Sequence, residues 1–402
     1  MQLCQLPNEA TALKLPALFG YGFRPFFLAA CLAAVVLVPW WAGSLTLGIP
    51  LETAWPGPLW HGHEMVFGFV VAAISGFLLT AVPSWTGQRG YSGWPLVLLA
   101  GLWLSGRLLV ASSGHWAAPL TAAVDLAFVP ALALMLLPTL LRARSRNTPL
   151  LLALLALFAA NAVFHWAVNH ADEGLARDAL LAAVNIVLLL VTIIGGRIVP
   201  AFTSSALKEQ GADDRPLKHW PGTSTLAVGA MVAVLLVDLA FPGGRGAGVC
   251  ALAAAVIQAV RLLQWQGLRT VRLPIVWVLH VAYAWLPLGL ALKAVALLAG
   301  VPFAAFWLHA LTIGAAATMI VAVITRASLG HTGRPLRVGA PTVLAYLLLT
   351  AAGVVRTFGA GVAVPYAVII ALTAVLWTGA FALFLGIYAP ILLTPRVDGK
   401  AG

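Results

Sequence analysis

Charge is what this sequence has least of. Only 9% of its 402 residues are Asp, Glu, Lys or Arg, whereas 62% are hydrophobic. A soluble domain carries about 25% charged residues. No soluble fold hides that much apolar surface, so the chain belongs in a bilayer. Cysteine is scarce too: Cys4, Cys31 and Cys250 stand far apart, which excludes a disulfide framework and a CxxC redox pair. The sequence has no P-loop, no dinucleotide-binding glycine fingerprint and no CxxCH motif. No basic segment leads into an apolar stretch at the start, and Asn8 and Glu9 interrupt it. A signal peptide is therefore not expected, and the first spanning helix is expected to act as the insertion signal.

What is there is a series of apolar runs. A span needs about 20 apolar residues, and twelve runs qualify: 24–47, 63–84, 92–113, 116–140, 148–170, 178–201, 222–242, 246–266, 273–299, 302–325, 338–358 and 363–392. The expected fold is an all-α polytopic membrane protein forming one integral membrane domain over 1–402. The net charge of +11 comes from 23 Lys+Arg against 12 Asp+Glu. In a soluble protein that excess points to nucleic acid; here it lies between the spans and no nucleic-acid partner is expected. Lys14, Arg24, Arg89, Arg142, Arg144, Arg146, Lys208, Arg215, Lys218, Arg269, Arg272, Arg334, Arg337, Arg396 and Lys400 fall on the side of both termini, against Arg177, Arg245 and Arg356 opposite. The positive-inside rule then puts both termini in the cytoplasm. The longest polar connection, about 203–221, reads as a solvated loop.

Short similarities recur along the chain. LLTAVPSWTG (78–87), GGRIVPAFTS (195–204) and ITRASLGHTG (324–333) close spans 2, 6 and 10. His63, Gly68, Thr86 and Gly87 recur as His309, Gly314, Thr332 and Gly333 at an offset of 246, and FHWAV (164–168) resembles LHVAY (279–283). The expectation is three pseudo-symmetric four-helix units, 20–146, 147–268 and 269–395.

The stretch WHGHEMVFGF at 60–69 places His61, His63 and Glu64 at the start of span 2. Ionisable groups inside a span are functional hypotheses by default, and neutral imidazole is the commonest metal ligand. The topology puts His61, His63, His309, His165, His170 and His115 in the outer half of the membrane. His280 lies nearer the middle, and His219 and His331 lie at the inner side. At about 100° per residue, His61 and His63 point to opposite sides of their helix. His61, Glu64, Met65, Gly68, Ala72 and Ser75 share a face, with small residues leaving a groove for a macrocycle or a neighbouring helix. Asn161, His165 and Asn169 form a polar stripe in span 5, and Asn185 with Thr192 a shorter one in span 6. Such stripes serve either hydrogen bonds to metal-bound imidazoles or plain helix–helix bonding. Arg107 and Lys293 lie at the depth of the outer histidines, suited to the propionates of a haem.

HGHEMVFGF, the downstream GFLLTAVPSWTG and the opening FGYGFRPFF resemble the NnrS family, over nearly the whole chain. These are bacterial polytopic membrane proteins containing haem and copper and linked to nitric oxide metabolism and nitrosative stress. The resemblance implies haem b, copper as a second metal, the cytoplasmic membrane and nitric oxide as partner. A more distant similarity joins HG-x-x-M-x-F at 61–67 to the second helix of the main subunit of haem-copper oxidases and nitric oxide reductases. By that resemblance His61 ligates a haem and His309 is its partner, with Met65 beside them. The second helix-10 histidine of that superfamily is missing, since Trp307 and Leu311 flank His309, and span 7 lacks its copper-ligating pair. A second metal would instead draw on His165 and His280, with His63 or His170 as a third ligand.

The resulting expectation is a haem or haem–copper protein that binds or reduces nitric oxide, with Glu64 as a proton carrier in a nitric oxide reductase-like reaction. Electrons would come from a quinol or a redox protein. The competing classes are a proton-coupled transporter without haem and a haem-handling assembly factor.

Overall fold

The computed structural model describes residues 16–145, 147–209, 217–218 and 220–399. His219, Lys14, Arg146, Arg215 and Lys400 lie outside them. Among the described residues every regular element is helical, and twelve helices are long and apolar enough to cross a membrane. They are α1 (Phe23–Thr46), α2 (Gly57–Thr86), α3 (Trp94–Ala111), α4 (Ala118–Arg142), α5 (Leu150–Asn169), α6 (Glu173–Glu209), α7 (Thr223–Ala240), α8 (Arg245–Gln264), α9 (Pro274–Ala299), α10 (Pro302–Gly330), α11 (Ala340–Phe358) and α12 (Tyr366–Leu393). In hydrocarbon each backbone N–H and C=O must be satisfied within its own segment, so uninterrupted apolar runs become helices. Local signals set the ends. Asp172 accepts from Leu175 N at 2.9 Å and caps α6. Gly87 and Gly300 close α2 and α9 with φ of 65° each, a left-handed turn that glycine takes without strain.

α6 differs most from the sequence expectation. It starts at Glu173 and runs to Glu209, well past the expected end at 201. Thr203 and Leu207, buried on its inner face, extend the amphipathic pattern into what reads as loop. α2 also starts earlier than expected, at Gly57, so His61 and His63 sit inside the helix rather than at its tip.

Consecutive helices pack side by side, and α12 returns to pack on α1. Arg24, fully buried at the start of α1, donates through Nη1 to the carbonyls of Leu392 (2.9 Å) and Thr394 (2.6 Å) at the end of α12. Trp377 Nε1 donates to Ala34 O at 3.0 Å in the same seam. α2, α6 and α10 contact one another inside this ring.

Each of these inner helices contains a π-helical stretch: Glu64–Val70 in α2, Val191–Gly195 in α6 and Ala310–Ala317 in α10. The stretches in α2 and α10 are in register at the 246-residue offset seen in the sequence. Carbonyls in the loosened turns find donors from neighbouring side chains. Trp103 Nε1 donates to Gly68 O (3.1 Å), Arg261 Nη1 to Thr192 O (2.8 Å), and Thr318 Oγ1 to Ile313 O (3.2 Å). Gly68 and Gly314 are small for one reason: an added Cβ would lie 3.3 Å from Arg107 Cδ at the first and 2.3 Å from Trp285 Cδ2 at the second.

Candidate functional site

Four of the outer histidines divide between two places. His63, fully buried on α2, points toward α4 and α5. Its Nε2 lies 3.0 Å from Asn161 Oδ1 and 3.2 Å from Asp125 Oδ2, and its Nδ1 lies 3.1 Å from Glu64 Oε1. His165 Nε2 donates to the same Asp125 Oδ2 at 2.9 Å, and Asn161 Nδ2 donates to it at 2.8 Å. Arg107 of α3 ties the cluster together, donating Nη1 to Glu64 Oε1 and Nη2 to Asp125 Oδ1. All six side chains are buried.

Asp125 Oδ2 and Asn161 Oδ1 face His63 Nε2, and Glu64 Oε1 faces its Nδ1. Arg107 supplies the counter-charge that the two buried carboxylates need. His63, Asp125 and His165 also bring one ligand atom each to within 4.8 Å of one another. Two imidazole nitrogens and a carboxylate oxygen suit a first-row divalent ion.

His61 faces the other way, as the helical spacing requires. It stacks on Trp41, with ring centroids 5.3 Å apart, and lies within electrostatic reach of Arg356; His309 is in reach of both. Among the described residues neither His61 nor His309 has a hydrogen-bond partner, and Nδ1 of each is buried without one. Arg356 packs on the Phe306 and Tyr366 rings, donates Nη2 to Tyr366 Oη at 2.8 Å, and keeps a buried Nη1 unpartnered.

Several sequence expectations are corrected. Glu64 groups with His63 rather than His61, because the helix loosens into its π stretch at Glu64 and the simple 100° spacing fails there. Arg107 and Lys293 are not free for propionates. Arg107 neutralises Glu64 and Asp125; Lys293 pairs with buried Asp238 and stacks 4.9 Å over Trp307. His280 lies near the terminal-side start of α9, its Nε2 2.8 Å from Thr203 Oγ1, and is not brought to His165. His170 is exposed at the end of α5, stacked on Trp166. His115 pairs with Glu52 at an exposed site. Met65 is half-buried against the core. Asp125, Asp238 and Arg356 are functional candidates that the sequence reading passed over. The two acids could have been found as carboxylates inside apolar runs.

A buried histidine–carboxylate–guanidinium cluster and a pair of unpartnered imidazoles, inside twelve membrane-length helices, define a polytopic membrane protein in which one group of side chains, His63, Asp125 and His165, could hold a metal ion. The chain belongs to the NnrS family: the family model described as NnrS protein matches residues 17–396. No curated relative matches it.

Proposed function

We propose that this NnrS-family protein is a haem protein of the bacterial cytoplasmic membrane that captures nitric oxide and protects against nitrosative stress. The supporting observation is the contrast among its intramembrane histidines, of which His63, His165 and His280 are buried and His61 and His309 half-buried. His63, His165 and His280 are hydrogen-bonded to the protein, whereas His61 and His309, from α2 and α10, meet with none. Buried polar atoms without partners call for an explanation such as an ion or ligand. Two imidazoles and a guanidinium with a spare N–H fit a haem: His61 and His309 would hold the iron, and Arg356 would face a propionate. Bound haem supplies redox-active iron that coordinates nitric oxide. The face rich in Lys and Arg is the cytoplasmic one, so the histidine pair lies toward the periplasm.

Copper, the second metal of this reading, has its fitting donors at His63, Asp125 and His165. A second mode, reduction of nitric oxide with electrons from a quinol or redox protein, is supported by the buried Glu64 carboxyl beside His63, which would act as the proton carrier.

Purified protein tests the reading. A Soret band, a pyridine haemochrome of b type and a spectral shift when nitric oxide is added to the reduced protein are expected. Well-folded protein from haem-replete cells with no Soret band, together with saturable solute uptake in proteoliposomes, would overturn it in favour of a carrier.

A further inference from the structure

Residues 47–56 join α1 to α2 on the side opposite the termini, and Trp55 near their end turns its indole into the protein. The indole meets both imidazoles of the charged cluster in T-shaped contacts. Its ring centroid lies 5.0 Å from that of His63 and 5.3 Å from that of His165, at interplanar angles of 71° and 77°. Phe164 and Phe67 cover further sides of His63, at 4.8 and 4.9 Å. His63, Asp125 and His165 are at most 3% exposed. Packed interiors leave few gaps larger than a water, so an ion reaches these donors only when one of the covers moves. Phe67 and Phe164 stand on α2 and α5, and moving either shifts a membrane helix. Trp55 stands on a loop, the kind of segment that opens locally at least cost.

We propose that Trp55 is the gate of this site: a divalent first-row cation enters and leaves past its indole, from the outer side of the membrane. The proposal rests on the reading of His63, Asp125 and His165 as copper donors. The loop is fastened to the turn between α3 and α4. Ser113 Oγ lies 3.0 Å from Thr53 Oγ1 and accepts from Ala54 N at 3.0 Å. Gly114 N donates to Glu52 O at 3.0 Å, and the exposed pair of Glu52 with His115, 2.9 Å apart, closes the outer edge. Trp55 N donates to Thr53 Oγ1 at 3.2 Å, which carries the fastening on to the indole. These bonds run from one connecting segment to another. They can break and re-form while the helices that bear the donors stay in place.

Copper(II) added to the full-length protein in lipid nanodiscs tests the gate. A gate sets the barrier and not the bound state, so it moves uptake and release together. Trp55→Ala should speed both copper uptake and copper release to EDTA by about tenfold or more, with the dissociation constant unchanged. Trp55→Phe should speed them less. Ser113→Ala, which unfastens the loop and leaves the indole in place, should also speed both, and it keeps the test decisive if alanine at 55 impairs folding. Trp85→Ala, at the far end of α2, should change neither. In metal-free protein, diethyl pyrocarbonate should label His165 several-fold faster in Trp55→Ala and Ser113→Ala than in the unmodified chain, read by peptide mass spectrometry. Equal rates in all variants, or faster release with unchanged uptake, would overturn the proposal; the second result would make Trp55 a packing support. The two readings fail separately. No copper retained by the unmodified protein, with the labelling contrast intact, removes copper and leaves the gate. Tight copper binding with no contrast in rates or labelling leaves the metal site and removes the gate.

Discussion

His63 and His165, carried by α2 and α5, both direct Nε2 at a single oxygen, Asp125 Oδ2, at 3.2 and 2.9 Å. Their rings are 5.6 Å apart and nearly perpendicular. Such convergence places two neutral donors and one anionic donor around one point. Asp125→Asn and His165→Ala should each lower bound copper about tenfold or more, the size of effect expected when a ligand or its support is removed. His280→Ala and His170→Ala should leave it unchanged. Elemental analysis of the purified variants checks this, and equal copper in all four would remove the site.

For haem the expectation is opposite in location. His61→Ala or His309→Ala should abolish the Soret band, and Arg356→Gln should weaken haem retention while keeping the band's position. His165→Ala should keep a full haem complement. Absorbance per mole of protein is the readout.

Lys293 and Asp238 form a buried pair joined by Asn185 Nδ2, 2.8 Å from Asp238 Oδ2. Removing one partner strands a charge, at a cost of about 3–5 kcal/mol. Lys293→Met and Asp238→Leu should each lower thermal stability strongly, and the double variant should recover most of the loss. Additive losses in that cycle would mean the pair is not coupled.

Gly196 lies under Arg261, where an added Cβ would sit 1.9 Å from Nη2. Gly196→Ala should destabilise by about 1–3 kcal/mol through overpacking, and should disturb the bond from Arg261 to Thr192 O. Gly101 has nothing within 4 Å of its built Cβ, so Gly101→Ala should be neutral or stabilise by up to about 1 kcal/mol. Melting curves in one detergent compare them directly.

His331, just beyond α10, packs on Tyr21 and Phe23, and burial, then the nearby Arg396 charge, lowers its pKa from the ordinary 6.5. Below about pH 6.5 the unfolded chain takes up a proton that the folded protein refuses, so stability must fall as pH drops through that window. His331→Phe should flatten this part of the stability–pH curve. An unchanged slope would assign it to other groups.

The apolar runs made the twelve helices legible, because hydrocarbon leaves the backbone no alternative. The opposed directions of His61 and His63 followed from helical spacing alone. What spacing could not supply was the winding change at Glu64, since a π turn depends on neighbours such as Trp103 that cap the loosened carbonyls. Following histidines and cations also hid Asp125 and Asp238. Those acids decide where Arg107 and Lys293 go, because a buried carboxylate demands a counter-charge more strongly than any cofactor edge does. Resemblance alone paired His61 with His309; that Arg356 lies within electrostatic reach of both depends on how α11 packs, which no local pattern carries.

Arg24 has a consequence for how the protein is made. Its guanidinium bonds carbonyls near residues 392 and 394, some 370 positions later in the chain. At about 5–20 residues per second of synthesis, tens of seconds separate the arginine's emergence from that of these acceptors. The first spanning helix therefore enters the membrane well before the α12 carbonyls that its arginine bonds have been made, and the seam between α1 and α12 closes only after α12 has emerged.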